Sequence, residues 1–273
     1  MLLVSQMLQC HRTTRLIFSH QARRRAVIFL LASLVVVSAT VAAVSASREQ
    51  TASPAGSNVP PAIVIGFMGG RVPHDDAIRN ELIISNRLRA AYPHGVYFEV
   101  FENRRVEDAH QKILRLLGGT PGRTLTEQQK RGARIVLYGH SWGAAAVVAL
   151  AHALQKDAVP VALTIQVDSI RKPGVDDTIV PANVLRAINF YQTVGMLHGH
   201  SEIHAADPAH TQILGNFRFS YNDAPQECSQ YPWFERMFIK THIAIECDPV
   251  LWKRIETLIR DTLGPPAQES AAR

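Results

Sequence analysis

From Ala62 onward, short continuous apolar runs alternate with stretches whose apolar residues recur every three or four positions. A short apolar run bounded by Pro or Gly reads as a strand buried on both faces, and the longer spacing reads as one face of a helix. The runs predict strands over Ala62–Phe67, Gly95–Phe101, Ala133–Tyr138 and Val161–Val167, with shorter ones over Ser201–Ala206 and Asn216–Tyr221. The spacing predicts helices over Ala77–Ala91, Val106–Leu117, Gly143–Gln155, Asn183–Tyr191 and Pro249–Leu263. In the helix from Val106, Ala109, Ile113, Leu116 and Leu117 share a face, and Gly118-Gly119 ends it. "TLTEQQKRG", Thr124 to Gly132, is polar and reads as loop. Strands that alternate with helices and are apolar on both faces imply an α/β fold, with a mostly parallel central sheet and helices on both faces.

Upstream of this pattern the chain changes character. "AVIFLLASLVVVSATVAAVSAS", Ala26 to Ser47, is uncharged and apolar around a whole helix. It is long enough to cross a bilayer. Arg23, Arg24 and Arg25 precede it, which by the positive-inside rule holds the N-terminus in the cytoplasm and exports the remainder of the chain. Val44-Ser45-Ala46 ends the run with the small residues that signal peptidase favours. The stretch therefore reads as a signal peptide or a retained single-pass anchor, and the rest as secreted, periplasmic or membrane-tethered. "REQTASPAGSNVPP" comes next as a polar, Pro-containing linker. The organisation is then 1–47 basic head plus hydrophobic helix, 48–61 linker, 62–264 α/β domain and 265–273 disordered tail.

The net charge of +6 looks basic, but it is concentrated at the start. Arg12, Arg15 and Arg23 to Arg25 precede Ser47 and no acid does. Setting those five aside leaves 24 basic against 23 acidic residues. The domain is close to neutral and has no bulk electrostatic reason to bind nucleic acid. Of the three cysteines, Cys228 and Cys247 lie in the exported part, where an oxidising compartment lets them pair. Two buried free thiols are the other reading of them.

The predicted strand over Ala133–Tyr138 and the predicted helix from Gly143 are joined by Gly139-His140-Ser141-Trp142-Gly143. This is G-x-S-x-G at a strand-to-helix corner. A corner this tight forces its middle residue into a strained backbone conformation, and the flanking glycines remove the Cβ atoms that would collide. The serine hydroxyl is lifted clear, with a helix N-terminus aimed at the same spot. A plain structural turn would use the same glycines and leave the serine idle.

On this elbow, on the glycine-rich "GFMGG" after the first strand, and on the chain order of the remaining partners, the chain resembles the α/β-hydrolase superfamily over most of Pro60 to Leu263. The resemblance implies that fold and a nucleophilic serine mechanism, with Ser141 as nucleophile. It also implies a histidine base in a loop shortly before the last helix, a position held by His242 in "KTHIAIECDPVLW". Among the other histidines, His140 and His152 sit too close to the elbow to turn back on it. His198, His200, His204 and His210 form a cluster without the cysteine or carboxylate set of a metal site, so no metal and no cofactor is expected. For the acid, Asp168 ends the strand over Val161–Val167 and should emerge on the same sheet edge as Ser141. Asp177, in "GVDDTIVP", and Asp207, after the next strand, are the alternatives. The oxyanion hole should combine the Trp142 N–H with one from Phe67 or Met68.

These residues predict a serine hydrolase acting on a small-molecule ester or thioester through an acyl-enzyme. The alternatives are an acyltransferase using the same triad, or a non-catalytic binding protein on a hydrolase scaffold, anchored in the membrane by the uncleaved helix. A bridge between Cys228 and Cys247, which flank His242, would brace the loop carrying the base. The stretch from Arg171 to Gln226 is long enough to cover the site.

Overall fold

The computed structural model describes residues 62–120, 123–222 and 226–266. The hydrophobic helix expected over Ala26–Ser47, the linker and most of the tail lie outside the described residues. Among the described residues no helix is long and apolar enough to cross a membrane.

The elements run in the order β1 (Ala62–Met68), α1 (Asn80–Ala91), β2 (Val96–Glu102), α2 (Val106–Leu116), α3 (Glu127–Lys130), β3 (Arg134–His140), α4 (Trp142–Lys156) and β4 (Leu163–Val167). Then come β5 (Ile179–Val180), β6 (Arg186–Tyr191), β7 (His204–Ala205), β8 (Gln212–Arg218), α5 (Trp233–Phe238), α6 (Lys240–Cys247) and α7 (Pro249–Leu263). Six strands form one sheet in the order β2-β1-β3-β4-β6-β8, with every pairing parallel. β5 and β7 pair separately.

The continuous apolar runs explain the layering. Successive residues of a strand face opposite sides, so a sheet covered twice needs apolar residues at every position. Ile63, Ile65 and Phe67 of β1 pack with Ile113 of α2 and with Val147 and Leu150 of α4. Val64 between them packs with Ile84 and Leu88 of α1 and with Trp252 and Ile255 of α7. α7 shows both of its end signals in the sequence. The Asp248 carboxylate accepts from the N–H groups of Val250 and Leu251 at 2.8 and 3.2 Å, Pro249 opens the first turn, and Gly264 ends the helix at φ 75°.

Several expectations require correction: the strands expected over Ser201–Ala206 and Asn216–Tyr221 are β7 at His204–Ala205 and β8 at Gln212–Arg218. The segment over Asn183–Tyr191 is not a helix; its second half is β6, between β4 and β8. Ala187, Ile188, Asn189 and Phe190 are all buried, and four consecutive buried positions suit a strand covered on both faces. "TLTEQQKRG" contains a helical turn, α3, where the Thr126 hydroxyl accepts from the Gln129 N–H and the Gln129 side chain returns to the Thr126 N–H. α5 and α6 have no counterpart in the periodicity. Ile243 to Cys247 are buried around the whole turn of α6 and show no polar face.

β1 lies inside the edge strand β2, with β2 on one side and β3 on the other. The chain winds first one way from β1 and then the other. Such a switch point opens a crevice beyond the carboxyl ends of the two strands, and ligands bind there in open α/β sheets. The residues just past those ends are Gly69 and Ser141.

Candidate active site

Ser141 stands between β3 and α4 at φ 57° and ψ −126°, a region that non-glycine residues rarely adopt. Such a conformation costs about 1–3 kcal/mol and persists only where its surroundings enforce it. Here they do. A Cβ on Gly139 would lie 2.6 Å from the Gly143 carbonyl carbon, and one on Gly143 would lie 2.2 Å from the Phe67 carbonyl oxygen. The Ser141 N–H is held by the Val167 carbonyl at 2.9 Å. Serine at a helix N-cap ordinarily spends its hydroxyl on the first-turn N–H groups. Ser141 makes no such side-chain bond, and it lines a cavity of about 250 Å³ that His242 also lines.

His242 lies in α6 rather than in a loop, and α6 holds the expected place after the last strand and before α7. Its Nδ1 is 2.7 Å from Asp168 Oδ2. Asp168 is fully buried at φ 44°, directly after β4. Its Oδ1 accepts from the N–H groups of Gly199 at 2.6 Å and Gln192 at 3.2 Å, and its Oδ2 also accepts from Gln192 Nε2 at 2.9 Å. A Cβ on Gly199 would meet the Asp168 Cα at 2.6 Å, which explains the glycine inside "HGH". Among the described residues no hydrogen bond joins Ser141 to His242; the two share the cavity wall.

The other aspartates are otherwise engaged. Asp177 is buried, takes the Ser169 hydroxyl, and meets His200 Nε2 at 3.1 Å. Asp207 caps an exposed turn, accepting from the Ala209 N–H at 2.9 Å beside His210 Nδ1 at 2.7 Å. Phe67 and Met68 sit fully buried inside β1, and neither lines the cavity. β1 runs one residue past the expected end because its register with β2 continues to Met68 opposite Glu102. The loop residues that do line the cavity are Gly69 to Val72, turned by Gly70 at φ 47° and closed by the Val72 N–H on the Gly69 carbonyl.

A charged network that no local pattern announces lines the same cavity through Arg79, Glu235 and Glu246. Arg79, almost fully buried, donates to Asp76 through Nε, to both oxygens of Glu246 through Nη1, and to both oxygens of Glu235 through Nη2. It ties the start of α1 to α5 and α6, so it anchors the helix that carries His242. These carboxylates hold the guanidinium charged against the opposing effect of burial. The partners lie 156 and 167 positions away in sequence, too far for any local signal to reveal the pairing. The His140 and His242 rings meet with centroids 4.5 Å apart and planes tilted by 35°, and His140 Nδ1 is 3.5 Å from Glu246 Oε2. Burial, then the neighbouring His242, push the His140 pKa well below the ordinary histidine value, so His140 is neutral.

Among the described residues two groupings bring possible metal ligands within 4.8 Å of one another: His140 with Asp168 and His242, and His140 with Glu81 and Glu246. In the first, Asp168 is already filled by the donors named above. In the second, the Arg79 guanidinium occupies both oxygens of Glu246.

Glu81 belongs to the same network, yet it is entirely buried and among the described residues neither carboxyl oxygen has a hydrogen-bond partner. Burial, then repulsion from Glu246, hold its pKa well above the ordinary carboxylate value. The unfolded chain releases this proton at about pH 4.3 and the folded chain does so later. Stability is therefore fullest below the unfolded pKa and falls as pH rises toward the folded one. Glu81→Gln removes this loss. Calorimetry should show the variant melting higher at pH 7.5 by about 2–4 °C, the shift that 1 kcal/mol produces in a domain of this size. The gap should close at about pH 4. An equal or lower melting temperature at pH 7.5 would contradict the assignment.

Cys228 and Cys247 form a disulfide with Cα atoms 5.9 Å apart. Cys247 ends α6, so the bond pins the helix that bears His242 to the segment before α5. Closing a loop of this length stabilises by roughly 3 kcal/mol through the unfolded chain. The Cys228→Ser, Cys247→Ser double variant should melt about 10 °C lower than the oxidised protein. Identical melting curves would show that the bond is not formed.

No family model matches the chain, and no curated protein does. Solved structures do. The chain is similar to a cutinase-like protein from Cryptococcus sp., at 16% identity and a TM-score of 0.43, covering 77% of this chain and 98% of that one. It is also similar to an acetyl xylan esterase, at 12% identity and a TM-score of 0.38, covering 75% of this chain and 99% of that one. The likeness is one of overall fold.

Proposed function

We propose that this protein is a serine hydrolase that cleaves a carboxylic ester or thioester through an acyl-enzyme. The observation that carries this reading is the pairing of His242 Nδ1 with the buried Asp168 at 2.7 Å, on the wall of the cavity that also receives the uncapped Ser141 hydroxyl. With Nδ1 held by Asp168, Nε2 is the ring nitrogen left to take a proton. His242 removes the Ser141 proton as Oγ bonds to the carbonyl carbon. The oxyanion is stabilised by the Trp142 N–H at the start of α4 and by a second N–H from the Gly69–Arg71 turn. Collapse breaks the bond to the leaving oxygen or sulfur, which departs with the proton from His242. Water then repeats the sequence and frees Ser141.

The cavity favours short acyl groups. Its volume of about 250 Å³ lies below the usual range of about 300–1,000 Å³ for drug-sized ligands. Trp142, Ile170, Leu197, Ile239 and Ile243 make its wall largely apolar. The deciding experiment treats the protein with a fluorophosphonate and maps the adduct by mass spectrometry, alongside p-nitrophenyl esters of graded length. The expected result is a single adduct on the Ser141 peptide and faster cleavage of the butyrate than the decanoate. An unlabelled, folded protein that cleaves no ester would overturn the reading.

A further inference from the structure

A second cavity, of about 320 Å³, opens on the other side of the glycine turn and shares Gly70, Arg71 and Trp142 with the first. Its remaining wall includes Asn103, Arg104 and Lys172. Three cationic side chains therefore face one concavity, and no carboxylate lines it among the described residues. Among the described residues Lys172 has only neutral partners. Its Nζ donates to the backbone carbonyl of Asn103 at 3.1 Å and to Asn103 Oδ1 at 2.9 Å. An ammonium has three donors, so one is left over. Burial lowers the Lys172 pKa from its usual value, as expected for a partly desolvated cation with no counter-charge. Arg104 reaches Glu102 only at 3.8 Å, and that carboxylate is turned toward His74 Nδ1 at 3.0 Å. A domain that is otherwise close to charge balance has gathered three cationic side chains at one point beside Ser141, with Glu102 beside Arg104 as the one nearby carboxylate among the described residues.

We propose that this cavity is a subsite for an anionic group on the leaving part of the substrate, a carboxylate, sulfate or phosphate held by Arg71, Arg104 and Lys172. The proposal rests on the hydrolase reading and adds a substrate class to it: an ester of a short apolar acid with an anionic alcohol or phenol. The apolar cavity takes the acyl chain, the elbow takes the carbonyl, and the basic cavity takes the charged end of the leaving group. Asn103 links the two regions. Its Nδ2 donates to the carbonyls of Met68 and Gly70, at the root of the turn assigned to the oxyanion, while its oxygens hold Lys172. An anion drawn to Lys172 thus bears on the residue that orients this turn. Charge-assisted contacts of this kind discriminate by about tenfold or more.

The test compares 4-butyryloxybenzenesulfonate with the neutral 4-butyryloxybenzamide. At low ionic strength the wild-type kcat/KM should favour the sulfonate by about tenfold or more, and the preference should shrink in about 1 M NaCl. In the Lys172→Gln, Arg104→Gln double variant the ratio should fall toward one; as a ratio, it is insensitive to a general loss of activity. A wild-type ratio near one, or a ratio the double variant leaves intact, overturns the proposal. A second arm separates its fate from that of the hydrolase reading. Calorimetric titration of Ser141→Ala protein with each ester needs no turnover. If wild type cleaves neither ester, the hydrolase reading fails. Tighter binding of the sulfonate, lost when Lys172→Gln and Arg104→Gln are added, still sustains the anion subsite, whereas equal affinities overturn it.

Discussion

Ser141→Ala should lower kcat/KM for a short-chain ester by about 10⁴-fold or more and abolish the fluorophosphonate adduct. The size of the loss comes from what the hydroxyl does. Without a nucleophile no acyl-enzyme forms, and only the oxyanion donors and substrate binding remain to assist direct attack by water. The substitution isolates chemistry from folding. Ser141 Oγ caps nothing, and its backbone conformation is imposed by Gly139, Gly143 and the bond from its N–H to Val167. Alanine keeps the Cβ and meets the same constraint, so the melting temperature should stay within about 2 °C of wild type. Steady-state kinetics beside calorimetry make the check. A variant that folds normally and retains a tenth of the activity would move the nucleophile elsewhere.

Asp168→Asn carries the second large effect, about 10³–10⁴-fold in kcat with KM little changed. In the proposed mechanism Asp168 Oδ2, 2.7 Å from His242 Nδ1, accepts from that nitrogen and leaves Nε2 to take the Ser141 proton. An amide nitrogen in that place would present a donor to a donor, turning the ring to the wrong tautomer or orientation. The control is Asp177→Asn. Asp177 is equally buried but bonds to Ser169 and His200, so its loss should appear mainly in stability, with kcat reduced by less than about tenfold. If Asp177→Asn proves the more damaging to kcat, the orienting acid has been assigned to the wrong residue. Because Asp168 also accepts from Gly199 and Gln192, the comparison is made at a temperature where both variants are fully folded.

The elements legible in the sequence are those whose identity is set within a few residues. β1, β2, β3, α2, α4 and α7 all lie within two residues of the boundaries read from apolar runs, caps and glycines. The strand-glycine-serine-glycine-helix corner is legible for the same reason: its constraint is steric and local. β6 escapes such a reading because "RAINFY" has an apolar content that suits either a buried helix or a buried strand. Its state is chosen by the neighbours β4 and β8, which lie elsewhere in the chain. The turn that lines the cavity begins at Gly69, one residue later than the apolar run suggests, because the end of β1 depends on how far β2 continues to pair with it.

The sequence by itself determined the covalent chemistry on offer and where the chain could turn sharply: a serine on a glycine corner, a histidine before the last helix, and aspartates after successive strands. The tertiary structure alone decided which of these meet. Asp168 joins His242 across 74 positions, Arg79 fastens α6 from 167 positions away, and Lys172 reaches Asn103 across 69 to gather positive charge beside Ser141. Periodicity and steric rules act over a turn or a strand, so they report local geometry. Ion pairs and shared cavities depend on how the sheet order brings distant strand ends together, and they exist only once the chain has folded.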